Sequence, residues 1–144
     1  MLEKIRYKKQ ILALIIHTNK NKKKGVNFVT PKKFVLQSGI MNHPKNHIID
    51  PHIHKEYQRK IKSTPEALFI TKGKLRVDFY TKKKIYIFSK ILKKNDLIIL
   101  NQGAHGFKVM EKCSMIEIKQ GPFVKSEDKV RFNKIDENKI KIKK

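Results

Sequence analysis

Three of the six histidines in the chain, together with one glutamate, stand at spacings that suit metal chemistry. His52 and His54 are separated by a single residue. On an extended strand, residues i and i+2 point to the same face, so both imidazoles project together while Ile53 turns away. Two imidazoles held side by side make half of a site for a borderline divalent ion. Glu66 and His105 each stand at a strand end further along, and they would complete a shell of three nitrogens and one carboxylate. Glu56 and Gln58 lie nearer to His54 and rank behind Glu66 as the oxygen donor. On a six-coordinate ion such a shell leaves positions open for water or substrate, and the ion acts as a Lewis acid. Fe(II), Mn(II), Ni(II) and Zn(II) all accept mixed nitrogen and carboxylate ligation. His17, His43 and His47 have no partner at ligand spacing and read as surface or packing residues.

Other residues carry weaker chemistry. Glu117 and Lys119 alternate with Ile116 and Ile118. They either line the interior of a barrel as an acid–base pair or form an exposed polar face. Arg59 offers a bidentate fork to a carboxylate or phosphate, against the plainer reading of a solvated loop charge. Tyr80 and Tyr86 read as packing residues. Cys113 is the only cysteine and has no evident His or Asp partner, so it takes no catalytic role. A single cysteine also excludes a disulfide framework and a Cys-rich zinc site. The chain has no phosphate loop, no dinucleotide fingerprint and no Gly-x-Ser-x-Gly elbow.

Strands must position these residues, and the pattern is strand-rich. Ile11 to Ile16 is an apolar run closed by Asn19-Lys20-Asn21. Gly25 to Thr30 and Phe34 to Met41 read as short strands around Pro31, and His47 to His54 as another, interrupted by Pro51. Glu66 to Thr71 and Lys74 to Thr81 read as a hairpin turning at Lys72-Gly73. In its second arm Leu75, Val77 and Phe79 share one face, and Lys74, Arg76 and Asp78 the other. Lys84 to Leu92 and Asp96 to Leu100 follow. Gly106 to Met110 and Ser114 to Gln120 read as a second hairpin turning at Glu111-Lys112. About nine or ten short strands with turn residues between them predict an all-β sandwich or barrel.

The same residues resemble the cupins. His52-Ile53-His54, then Glu66 spaced to Gly73, match the first cupin motif, with Asn46 in its first glycine position. Asn95, Asn101, Gly103 and His105 take the places of the second. Asn for Gly at 46 and 95 is mild, because Asn tolerates the left-handed region. The gap from His54 to Glu66 is longer than the motif's, so Lys55 to Pro65 reads as an inserted loop. Pro51 to His54, Thr64 to Tyr80, Gly103 to Phe107, Met115 to Phe123 and Asp128 to Phe132 resemble small bacterial single-domain cupins in particular. The resemblance implies a jelly-roll barrel with a divalent metal, and a link to sugar and cell-surface polysaccharide metabolism. Such modules commonly dimerise, with Ile11 to Ile16 as the element to exchange. The expected activity is isomerase- or epimerase-like, on a sugar, nucleotide-sugar or other small anionic metabolite. The alternatives are a binding module without turnover and, behind it, a charge-driven nucleic-acid binder.

Composition bounds the rest. The 144 residues, 39% of them hydrophobic, make one domain with one core. That core spans about residues 11–123, and a Lys-rich tail from about 125 to 144 is expected to fray at its tip. The net charge is +23, yet only Arg6, Arg59, Arg76 and Arg131 among the 35 basic residues are Arg. Guanine readout and base stacking favour Arg, so the charge argues for a small anionic partner rather than nucleic acid. Ile11 to Ile16 falls far short of the roughly 20 residues that cross a bilayer. It also lacks a signal cleavage site, which fits a cytoplasmic protein.

Overall fold

The computed structural model describes residues 1–20, 23–122 and 129–144. Eight strands build an all-β fold: β1 (Leu2–Tyr7), β2 (Gln10–His17), β3 (Gly25–Phe28), β4 (Gly39–Asn42), β5 (Glu66–Tyr80), β6 (Tyr86–Lys93), β7 (Asp96–Leu100) and β8 (Ala104–Lys119). The strands pair antiparallel. β3 and β4 form a ribbon of their own; the other six form one sheet in the order β1-β2-β7-β5-β6, with β8 on β5. Among the described residues this sheet does not close into a barrel. No helix among them is long and apolar enough to cross a membrane.

The long ribbon of β5 and β8 sets the shape. Glu66 pairs with Lys119 at one end and Tyr80 with Ala104 at the other. The opposite edge of β5 is shared, with β7 along Glu66–Phe69 and β6 along Lys74–Tyr80. Fifteen straight residues would span about 50 Å. Yet Glu66, the first residue of β5, hydrogen-bonds His105, which lies in register with Phe79 near the last. The ribbon is therefore folded over at its middle, where the register shifts repeatedly between Ile70 and Leu75. Gly73 sits at this corner with φ +77°, and a Cβ there would stand 2.7 Å from the Lys112 carbonyl carbon. Only glycine fits both the angle and the approach. The two expected hairpins are thus corrected. Gly73 does turn the chain, but β8 bends with β5 at Glu111-Lys112, so the corner joins two layers through unbroken strands.

One layer holds β1, β2, β7, the first half of β5 and the end of β8. The other holds β6, the second half of β5 and the start of β8. Between them Ile5, Leu12, Ile15, Leu68, Ile70 and Ile98 meet Leu75, Val77, Phe79, Phe88 and Leu92. A second cluster, Leu14, Ile16, Ala67, Ile99 and Phe34, covers the far face of the first layer. Burial on both faces explains why β2 and β7 read as unbroken apolar runs. His17 is a bridge rather than a bare surface or packing residue. Its Nδ1 lies 2.6 Å from Asp96 and its Nε2 2.9 Å from Glu3, whose other oxygen accepts from Lys90 of β6 at 2.6 Å.

Several sequence expectations need correction. β1 was not foreseen, because its two-residue turn to β2 is Lys8-Lys9, with Lys8 at φ 52° and no Gly or Asn to mark it. Phe34 to Met41 is a strand only from Gly39, and Phe34 instead plugs the second cluster. His47 to His54 forms no strand, and residues 44–64 are exposed irregular chain. Asn46 and Asn95 do take left-handed conformations, at φ 65° and 72°.

The tail is not frayed over 129–144, while 125–128 lie outside the described residues. Residues 135–144 run across β5, β6 and β8. Arg76 anchors them: buried in β5, it bonds both oxygens of Asp78 at 2.8 and 3.1 Å and both of Glu137 at 2.7 and 3.0 Å. Lys108 of β8 adds a 2.9 Å ion pair to Glu137. Tyr86 accepts the amide of Lys141, and Ser89 pairs with Ile142 through the backbone. The Glu137 carboxyl is lowered to about 2 by its bonds to Arg76 and Lys108. Replacing Arg76 with Met leaves Asp78 buried without its cation, a loss of about 3–5 kcal/mol by analogy with broken buried pairs. Urea unfolding of R76M should show that loss; stability within about 0.5 kcal/mol of the native chain, the range of ordinary surface changes, would contradict the anchor.

Candidate functional site

The corner brings the two ends of the β5–β8 ribbon to one place. Glu66 opens β5, hemmed by Leu100 of β7 and Lys119 of β8, and is buried. His105 is the second residue of β8, just after the loop that returns from β7. Gly103 makes that return possible, at φ +83° with a Cβ position only 2.7 Å from the Tyr80 carbonyl oxygen. His105 Nε2 then stands 3.1 Å from Glu66 Oε2. Lys129 stands 3.3 Å from Glu66 Oε1 and 3.9 Å from Glu117. The hydrogen bond from His105 is the largest influence holding the Glu66 carboxyl below its ordinary range; burial opposes it, and the charge on Lys129 adds to it.

A cavity of about 410 Å³ opens over this pair. Its floor is Glu66, Tyr80 and Gly103 to Gly106; its other wall is Lys129 to Phe132 with Lys134. Tyr80 and Phe132 meet edge to face at 5.1 Å, making an apolar side. Tyr80 accepts the Ile135 amide at 3.2 Å, which ties that wall to the sheet, and burial pushes its phenol up. A second recess of about 430 Å³ shares Thr64, Gly103 and His105 and adds Lys62 and Lys82. Among the described residues Glu66 is the only carboxylate lining either space, and the other charged residues there are Lys or Arg.

The pair is an oriented imidazole. An ionised Glu66 accepts the Nε2 proton of His105, which fixes the tautomer and leaves Nδ1 to exchange a proton with a bound molecule. The carboxylate is buried at the tolerable cost of being paired.

Of the four residues expected to hold a metal, the structure brings together Glu66 and His105. His52 and His54 stand next to one another, ring centres 5.2 Å apart and edge to face, but on the exposed irregular segment. Among the described residues no three of His, Cys, Asp and Glu form a group that could hold a metal ion. The four residues as folded do not come together around one ion. Glu56 and Gln58 lie on the same exposed segment. Arg59 stacks over Tyr57 at 5.4 Å and does not line the cavity. Glu117 is exposed at the rim, within reach of Lys129, and Lys119 sits in register with Glu66. Lys129, Arg131, Phe132 and Lys134 were missed as site residues. Their signals were the resemblance of Asp128 to Phe132 and an alternation of cations and apolar residues, in a stretch otherwise read as tail.

Glu66→Gln tests the pairing through pH. A carboxylate lowered in the folded state stabilises fully above its unfolded value, about 4.3, and that contribution is lost as pH falls through the folded value. The stability gap between the native chain and E66Q should therefore shrink as the pH of urea titrations is lowered from about 5 to about 3. A gap unchanged across that window would refute the paired carboxylate. Comparison with family models, with curated proteins and with solved structures matches nothing, so the site rests on its own geometry.

Proposed function

We propose that the cavity takes a small anionic metabolite, of the sugar-acid, sugar-phosphate or nucleotide-sugar kind, and that His105, oriented by Glu66, moves one of its protons. The observation that carries this reading is an acid–base pair in a cavity whose other charged residues, among those described, are cationic. Lys129, Arg131 and Lys134 attract and hold the anion, and Tyr80 with Phe132 packs its carbon face. Proton transfer at carbon next to a carbonyl is the step shared by isomerases and epimerases. Within this reading the folded-over sheet is an open jelly roll of the cupin kind, supported by its corner and its two layers. The single cysteine fits work in a reducing cytoplasm.

The test is ligand-dependent deuterium uptake. The chain is incubated in D₂O with a panel of sugar phosphates, nucleotide-sugars and hydroxy acids, and exchange at carbon is followed by NMR. One of them should both bind and exchange, with H105A slowing exchange about 10²–10⁴-fold and E66Q less. Binding without exchange would leave a module that holds its ligand without turnover. Failure to bind any anion would defeat both.

A metal is the second reading, favoured by one observation. His52 Nδ1 donates to the Asp50 carbonyl at 3.0 Å, which leaves Nε2 as the free electron pair beside the His54 ring. That is how ligating imidazoles are commonly oriented. Equilibrium dialysis of the untagged chain against Zn(II), Ni(II), Mn(II) or Fe(II) should then give one ion per chain, and H52A/H54A none. An equal metal content in the two proteins would remove this reading.

A further inference from the structure

We propose that the β3–β4 ribbon docks this chain on the surface of an anionic lipid bilayer. The ribbon has two unlike sides. Its inner side is seated on the far face of the first layer, where Ile40, Val29 and Leu36 pack against the cluster that holds Phe34. Its outer side carries Val26, Phe28 and Met41, which are 51%, 69% and 58% exposed. Val26 stands opposite Met41 in the register and Phe28 opposite Gly39, with the Phe28 ring 3.5 Å from where a Cβ at 39 would stand. The three side chains are therefore neighbours on one face. An apolar face left open and rimmed by polar residues marks a surface that meets a partner.

Charge identifies the partner. Residues 4–49 contain eleven Lys and Arg and no Asp or Glu; eleven of the twelve acidic residues come later in the chain. Lys23 and Lys24 adjoin one end of the ribbon. Asn42 donates to the Lys23 carbonyl at 2.8 Å and Asn27 to the Lys24 carbonyl at 3.1 Å, which fixes that cationic stretch in place. Lys32 and Lys33 lie in the loop at the other end. Ile5 enters the core between the layers, so Lys4 and Arg6 on either side of it turn to the far face, the ribbon's side. With Lys9 and Lys33 they line a recess of about 510 Å³ beside Phe34, and among the described residues this recess has no carboxylate. An apolar face set among cations matches acyl carbon beneath a layer of phosphates. Val26, Phe28 and Met41 enter the acyl boundary, and the recess takes a headgroup phosphate. Nucleic acid fits less well, because bases stack on aromatic planes and Val26 and Met41 offer none. A folded acidic protein needs its carboxylates set against particular cations, whereas lysines on flexible stems suit a fluid layer of charge.

Co-sedimentation of the full chain with lipid vesicles tests this. The chain should partition onto phosphatidylcholine vesicles carrying about 30% phosphatidylserine and stay off pure phosphatidylcholine. Phe28→Thr/Met41→Thr, which leaves the charge unchanged, should weaken partition about 10–50-fold with the far-ultraviolet dichroism as in the native chain. Lys4→Gln/Lys33→Gln should weaken it about 5-fold for each lysine removed. Val109→Thr/Ile116→Thr removes comparably exposed apolar groups from β8 and should leave partition as it is. The chain has no tryptophan, so Phe28→Trp places a single reporter on the face, and its emission should shift to the blue on anionic vesicles. Three results would each overturn the proposal. One is no partition onto anionic vesicles. Another is partition indifferent to Phe28→Thr/Met41→Thr, with the reporter's emission unmoved. The third is tighter binding to a single-stranded oligonucleotide that itself weakens on Phe28→Thr/Met41→Thr, which would make nucleic acid the partner.

Discussion

The close approach of Gly73 to the Lys112 carbonyl is the constraint on which the rest depends. It lets two paired strands turn a corner together without parting. Because β5 and β8 remain hydrogen-bonded through the turn, their far ends are delivered to the same place with fixed register. The Glu66–His105 contact, the core between the layers and the cavity over it all follow from that fold. A side chain at 73 would have to push the ribbon open at the point where both layers hinge.

Acidic residues are scarce here, twelve against 35 basic ones, and their placement matters more for it. Glu3 and Asp96 take His17 between them and join β1, β2 and β7, with Lys90 carrying the link to β6. Asp78 and Glu137 take Arg76 and Lys108 and fasten the C-terminal run to the sheet. Glu66 takes His105 and Lys129. Each of these carboxylates compensates cations that would otherwise repel at a seam. Lys129, Arg131 and Lys134 line the cavity beside Glu66.

The sequence made part of this legible. Alternation identified the β content, and two unbroken apolar runs are β2 and β7, buried on both faces. Asn46 and Asn95 were readable as left-handed positions because the side chain itself tolerates that conformation. A hairpin and a corner carry the same local signal, however. Whether Gly73 reverses one strand or bends two depends on a partner strand some forty residues away. Arg76 and Asp78 read only as the polar face of their strand, because the group that covers them, Glu137, is 61 residues from Arg76. His17 finds Asp96 across 79 residues. Glu66 and His105 were singled out as metal ligands, and the structure gives them each other as partners. His52 and His54 were expected on a strand, but Pro51 and the polar chain after them give that segment no ladder to join.

The central claim is that the folded ribbon makes one unit of Glu66 and His105. A double-mutant cycle on folding stability at neutral pH, using Glu66→Gln, His105→Phe and the double variant, measures it most directly. The contact predicts a coupling free energy of about 1–3 kcal/mol. Additive effects, with coupling within about 0.3 kcal/mol of zero, would contradict it.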